Sequence, residues 1–245
     1  MYRPRQISAP TVRMTDNKHG MMFPLSKYGH AFVDFAGQSG GTVLDIGAAF
    51  GVCTIPALKA GAKVIANDIS ESELEYLEEH VAPELKEQLT LLPGRFPEEI
   101  DLPNESLDAV DASHVLHFLS GPTLLAGCRK MFDWLKPGGK VFVVCFTPYH
   151  KFMEKYIPVY ESRVQHGDPW PGFIEDSTPY VLKQNILPKQ THLMDDQVLS
   201  YCFEQAGFEV EEADIFPCPP NLEPREFFHL DGREWVGLIA KKSAV

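Results

Sequence analysis

After residue 40, apolar and polar positions fall into a regular alternation of two periods. Short unbroken apolar runs at Thr42–Ile46, Lys63–Asn67, Gln88–Leu92, Leu107–Ala112 and Lys140–Phe146 are of strand length and read as buried strands. Segments with helical spacing lie among them: Val52–Lys59, stopped by Ala60-Gly61, then Glu71–His80, and Pro122–Leu135, closed by Lys136-Pro137-Gly138-Gly139. Ser70, with Glu73 three residues on, predicts a capping box for the second of these helices. Strand and helix alternating through short turns imply a parallel sheet with helices on both faces. Asp195–Ala206 reads as a further helix with Gly207 as its C-cap, followed by strands Phe208–Ile215 and Trp235–Lys241. With no helix between them, those two strands pair antiparallel. The expected fold is α/β, a doubly wound and mostly parallel seven-stranded sheet with an antiparallel last strand.

Three stretches depart from this rhythm. Residues 26–36 predict a short helix that buries Tyr28, Phe32, Val33 and Phe35 and ends at Gly37. Residues 148–190 hold six prolines and seven aromatics, and residues 216–229 hold four more prolines with Phe227-Phe228-His229. Both follow strand ends that a parallel sheet aims at its ligand crevice, and both are too aromatic for disorder. They are expected to be walls or lids of a pocket. Phe152, Tyr156 and Tyr160 fall on one helical stripe interrupted by Pro158, which suits a lid helix packed on the core or a direct substrate contact. The expected organisation is an N-terminal cap (1–40), a core (41–147), a lid insertion (148–190) and a C-terminal completion of the sheet (191–245). The insertion and residues 20–35 are expected to enclose a small or medium, partly apolar acceptor.

Composition narrows the class. The 245 residues are 44% hydrophobic and 11% aromatic, enough for a core without disulfides or a structural metal. Five cysteines, widely spaced and never paired as Cys-x-x-Cys, point to a reducing, cytosolic setting and to no zinc site. No apolar run reaches membrane-spanning length. Arg3, Arg5 and Arg13 before the first acid, Asp16, are the one transit-peptide-like feature. The net charge is −12, and between Asp68 and Asp111 fourteen acids face only Lys86 and Arg95. Nucleic-acid binding needs phosphate-neutralising cations, so a nucleic-acid partner is not expected. Most of these acids read as the solvated face of the Glu71–His80 helix and the turns after it.

The strongest motif is Val43-Leu44-Asp45-Ile46-Gly47-Ala48-Ala49-Phe50-Gly51, an apolar strand running into small residues that let the backbone turn and approach a ligand. Asp68 follows Asp45 by twenty-three residues, just past the second strand, where a carboxylate accepts from a ribose diol. A dinucleotide fingerprint wants small residues at the first, third and sixth turn positions, which here are Gly47, Ala49 and Val52. The sixth is wrong for it, and Asp45 suits the ammonium of a methionine moiety better than a pyrophosphate.

These residues resemble the class I S-adenosylmethionine-dependent methyltransferases, Rossmann-like and of small-molecule type. Val43–Gly47 is similar to the family's first motif and Asn67-Asp68-Ile69-Ser70 to its ribose-binding segment. Leu107–Val110 with Ser113–His117 is similar to its fourth-strand motif, Leu135–Gly139 to the turn before its fifth strand, and Ala206-Gly207-Phe208 to its entry to the sixth. The resemblance implies S-adenosylmethionine as cofactor and S-adenosylhomocysteine as product. It places Asp45 and Gly47 at the methionine ammonium, Ala48, Ala49 and Gly51 in the turn, and Asp68 on the ribose. Ile69, Arg95 and Phe96 fall at the adenine, and Ser113 and His114 at the methionine end. Ala49 stands where the family's middle glycine is, and Arg95 where an acid usually accepts from the adenine amino group. The implied reaction is methyl transfer to an O or N atom of a small-molecule acceptor, with His114, Tyr149 and His150 as catalytic candidates. His117 suits packing, and His229 is a further candidate. A catalytically silent methyltransferase-like binding module and an NAD-dependent oxidoreductase are the alternatives.

Overall fold

A computed structural model describes residues 13–15, 20–182 and 187–243 and gathers the apolar runs into one seven-stranded sheet. Its strands are β1 (Thr42–Ile46), β2 (Lys63–Asp68), β3 (Leu89–Pro93), β4 (Leu107–Ser113), β5 (Leu135–Phe146), β6 (Glu209–Phe216) and β7 (Trp235–Lys241). Their order is β6-β7-β5-β4-β1-β2-β3, with β1 to β5 parallel and β7 antiparallel to both neighbours. Strand order reverses between β1 and β4, so a crevice forms outside their C-terminal ends.

Helices α1 (Lys27–Ser39), α2 (Thr54–Lys59), α3 (Glu71–His80), α4 (Gly121–Trp134), α5 (Ile157–Gln165) and α6 (Asp196–Ala206) complete the layers. Alternate strand residues feed opposite cores. Val43, Val64 and Ala109 pack with Phe32, Ala57, Leu58, Leu74 and Leu77 of α1 to α3. Leu44, Val110, Val141 and Leu238 pack with Met131, Trp134, Leu199 and Phe203 of α4 and α6.

Four local expectations change. Helix α1 runs through Gly37 to Ser39 and ends on Gly40 at φ +58°. Gly37 instead permits close approach to α2, since a Cβ there would lie 3.0 Å from that of Ala60. The capping box does not form, because the Asp68 carboxylate takes the Ser70 N–H at 2.9 Å and the Ser70 hydroxyl meets that of Ser72 at 3.1 Å. Residues 136–139 belong to β5, where its ladder with β4 slips between Leu107 and Ala109. Fourth, the acidic run is not solvated throughout, since Glu73 and Asp111 are both 0% exposed.

The aromatic stripe packs on the core. A 3-10 turn (Lys151–Tyr156) passes into α5 with Pro158 in its first turn, so the proline marks the change of helix type and breaks nothing. Phe152, Tyr156 and Tyr160 are buried with Phe146, Phe228 and Trp235 in a third core. Helix α1 is fixed to the far sheet edge. The Tyr28 ring fills the space over Gly237, where a Cβ would lie 1.8 Å from the ring, and its hydroxyl donates to Asp214. Lys27 bridges Glu212 at 3.0 Å and Asp214 at 2.7 Å.

All five cysteines are buried free thiols. Among the described residues no helix is long and apolar enough to cross a membrane. Residues 1–12 of the expected cap, with Arg3 and Arg5, and residues 183–186 of the expected lid lie outside the described residues.

Candidate active site

A cavity of about 630 Å³ opens at the crevice, lined from β1, β2, β4 and the segment 20–26. The turn after β1 is its floor. Gly47, Ala49 and Gly51 have φ of +74°, +45° and +85°, and the Gly47 and Ala48 N–H groups donate to the Asn67 carbonyl at 2.9 and 2.8 Å. Glycine is required at Gly51, where a Cβ would meet Leu77 Cδ1 at 2.2 Å. Ala49 holds a left-handed conformation despite its methyl, a strain of about 1–2 kcal/mol. Its N–H donates to Asp68 Oδ2 at 2.9 Å, so the turn and the end of β2 hold each other.

Asp68 is 7% exposed, and burial is the largest influence raising its carboxyl. Its oxygens take the Ala49 and Ser70 N–H groups, both at 2.9 Å. The Ile69 N–H also favours the charged form, and a carboxylate with about four acceptor positions keeps capacity toward the cavity. Beside it Ile69 is 54% exposed, an apolar surface at the rim. Asn67 Nδ2 donates to the carbonyls of Leu92 and Gly94 at 2.8 and 2.9 Å, fixing the loop that carries Arg95 and Phe96 into the lining. Phe96 is buried, whereas Arg95 is exposed and its N–H is taken by Glu99 at 2.8 Å.

Asp45 accepts from Thr54 Oγ1 at 2.6 Å. Its register partner on β4 is Asp111, which accepts from the N–H and hydroxyl of Ser113 at 3.2 and 3.1 Å. Burial is the largest influence raising both carboxyls; the charge on Asp68 also raises Asp45, and the charge on Asp45 also raises Asp111. The Cys53 thiol lies against Asp111 and is pushed well up by burial. Asp111, Cys53 and Thr54 were not expected as site residues. Only Asp111 carried a signal, an acid flanked by Val110 and Ala112 in a buried run.

Ser113 and His114 lead into the other half of the cavity. His114 has φ +58°, held by its N–H to the Val144 carbonyl at 2.7 Å. Its ring sits between Phe23, Phe146 and Trp235, with centroids 4.7, 4.9 and 4.7 Å away, and burial holds it well below the usual imidazole range. The imidazole is therefore neutral, and Nδ1 has no hydrogen-bond partner among the described residues. The walls around it are Met21, Met22, Leu25, Val115, Phe118 and Leu119, with Ser120, Thr123 and Gln190 as polar points.

Asp45, Gly47, Ala48, Ala49, Asp68, Ile69, Arg95, Phe96, Ser113 and His114 all line this cavity, while Gly51 supports the turn from behind. Tyr149 and His150 do not line it. After Phe146 the chain bonds to the 233–234 loop, Thr147 N–H to the Glu234 carbonyl at 3.1 Å and its hydroxyl to the Arg233 carbonyl, and this carries both residues away. Tyr149 lies under the Arg233 guanidinium, 3.6 Å from the ring centroid, and His150 is buried against Phe146 and Phe152. His117 packs between Phe118 and Phe146, and His229 meets the Cys218 thiol at 3.4 Å. Among the described residues of the 148–190 insertion, Pro188 and Gln190 alone reach the lining.

Residues 43–139 match the methyltransferase-domain family. Among curated proteins the chain is similar to phosphoethanolamine N-methyltransferase 3 of Arabidopsis thaliana, 30% identical over 49% of this chain and 25% of that protein. It is likewise similar to the histone-arginine methyltransferase CARMER of Culex quinquefasciatus, 30% identical over 46% of this chain and 20% of that one. The match thus spans a quarter or less of these relatives' length. Among solved structures, an S-adenosylmethionine-dependent methyltransferase from Mesorhizobium loti superposes with a TM-score of 0.63 at 19% identity, over 87% of this chain and 95% of that one. The 1,6-didemethyltoxoflavin-N1-methyltransferase of Burkholderia thailandensis, solved with 1,6-didemethyltoxoflavin and S-adenosylhomocysteine, superposes with a TM-score of 0.59 at 15% identity, over 89% and 79%. These structures share the fold.

Proposed function

We propose that this chain, whose residues 43–139 match the methyltransferase-domain family and whose fold is shared with S-adenosylmethionine-dependent methyltransferases, is a class I enzyme of that kind that transfers a methyl group to an O or N atom of a small or medium, partly apolar acceptor. One observation carries the reading. The carboxylates of Asp68 and Asp45 lie on one cavity that continues, past Ser113 and His114, into an apolar half.

S-adenosylmethionine, when bound, supplies an activated methyl whose bond to sulfur breaks as the acceptor's lone pair forms the new one. Asp68 holds the ribose, Asp45 draws the ammonium, and Ile69 and Phe96 give the adenine apolar contact. Alignment of this kind contributes about 7–11 kcal/mol. A neutral His114 accepts a hydrogen bond from the acceptor's O–H or N–H and orients its lone pair. Being held well below the usual range, His114 is a weak base and takes the proton only as methylation makes it acidic. The apolar walls exclude water from the reacting atoms.

The test is methyl transfer from labelled S-adenosylmethionine across neutral aromatic and heterocyclic O–H and N–H acceptors, phosphorylated amines and a histone peptide. Incorporation into the neutral class, reduced at least 100-fold in His114→Ala, supports the reading. Transfer confined to phosphorylated amines or the peptide overturns the acceptor assignment.

A further inference from the structure

The floor of the cavity holds two acids where cofactor orientation by Asp45 accounts for one. Asp45 and Asp111 are register partners on adjacent parallel strands, which lie about 4.8 Å apart. They face the same side, since Val43 and Ala109, two positions before each, pack into the same core under α1 and α2. Both line the cavity, at 3% and 0% exposure. We propose that Asp45 and Asp111 form a carboxyl pair that holds one proton when the cavity is empty and expels it on receiving the α-ammonium of the cofactor. This rests on the cofactor reading above and adds to it Asp111 and a proton.

The surroundings argue for shared protonation. Asp45 receives the hydroxyl and N–H of Thr54, and Asp111 the hydroxyl and N–H of Ser113 and the Cys53 thiol; every one of these donors is neutral, so no positive charge offsets two adjacent buried anions. The ionisable groups facing the pair are Cys53 ahead of α2 and Asp68 from β2, one neutral and one acidic. Helix α1 brings its N-cap Ser26 and Gly29 to this part of the cavity, and β5 brings Phe142, the register partner of Asp111; none of them is charged. Two like charges so placed titrate as a unit and keep a proton. A cation reverses the balance. An ammonium brings three donors and one positive charge, so the second carboxyl ionises, and the displaced proton leaves to solvent. Binding then tightens as pH rises and levels off once the empty pair has lost its proton, with at most a tenfold change per pH unit for one proton.

Titration calorimetry of the full chain from pH 6 to 8.5, in buffers of different ionisation enthalpy, counts the proton. The probes are S-adenosylhomocysteine and 5′-methylthioadenosine, which keeps the nucleoside but lacks the ammonium. We expect close to one proton released per S-adenosylhomocysteine near neutral pH and none per methylthioadenosine. Asp111→Asn should abolish the release and weaken S-adenosylhomocysteine roughly tenfold at pH 8, while methylthioadenosine, which also reports that the variant is folded, binds as before. Unchanged release or unchanged affinity in that variant overturns the pair while the cofactor reading stands. If neither nucleoside binds the wild-type protein, the cofactor reading falls and the pair with it.

Discussion

Asp68→Asn changes one oxygen to an amide at nearly constant shape, which makes it a sharp probe of the nucleotide site. In the wild-type protein the carboxylate serves the Ala49 and Ser70 N–H groups at 2.9 Å and, in the proposed complex, accepts from the ribose hydroxyls. Hydrogen bonds to a charged group are worth about 1.5–3 kcal/mol each. The asparagine can accept with its one oxygen, so about 2–4 kcal/mol of binding is lost, a roughly 30- to 1000-fold rise in Kd. The amide also faces a backbone N–H it cannot accept from, which costs the empty protein about 1–3 kcal/mol. Calorimetry with S-adenosylhomocysteine and with methylthioadenosine reads the first effect, and urea unfolding reads the second. Both nucleosides carry the ribose, so both should weaken, unlike the pattern expected for Asp111→Asn. A change below threefold for either, in a variant that unfolds cooperatively, would refute the ribose assignment.

Thr54→Val removes the hydroxyl at 2.6 Å from Asp45 and should destabilise the chain by about 1–3 kcal/mol while weakening S-adenosylhomocysteine, as urea unfolding and calorimetry will show. Gly237→Ala places a methyl 1.8 Å from the Tyr28 ring, and thermal unfolding should register about 1–3 kcal/mol lost, or more if the ring cannot move. His117 and His150 are each lowered to about 3 by burial, whereas in the unfolded chain both titrate near 6.5. Below pH 6.5 the unfolded chain therefore binds more protons, and stability falls toward acid by up to about 1.4 kcal/mol per pH unit for each ring. Urea midpoints at pH 7 and 5 measure this slope, which His150→Leu should reduce; an undiminished slope in that variant would show that the ring does not control it.

The sheet and the turn half of the cavity were readable because both are local in sequence. Each buried parallel strand is a short apolar run, and Asp45 and Asp68 stand out as acids where such runs end in turns. Asp111 and Glu73 were absorbed into the acidic stretch because a charge count carries no burial. Their places follow from strand register and helix facing, which only the assembled layers define. Tyr149 and His150 follow β5 as a crevice residue would, but the bonds of Thr147 to residues 233–234, some 86 positions away, turn the chain elsewhere. The aromatics of 148–190 read as a lid for the same reason. Their partners Trp235 and Phe228 lie far along the chain, so no local pattern reveals that they fill a core.

The seating of Tyr28 over Gly237, with Lys27 clasped by Glu212 and Asp214, joins the first helix among the described residues to the C-terminal strands. During synthesis the residues leading into that helix, which form the front of the cavity, emerge from the ribosome some two hundred residues before the strand that anchors them. A nascent chain that already contains β1 to β5, with Asp45 and Asp68, still lacks the strand against which Tyr28 seats. The anchor of the cavity's front is thus among the last parts of the chain to be made, and a chain cut short before Gly237 would carry Asp45 and Asp68 but not the strand that seats Tyr28.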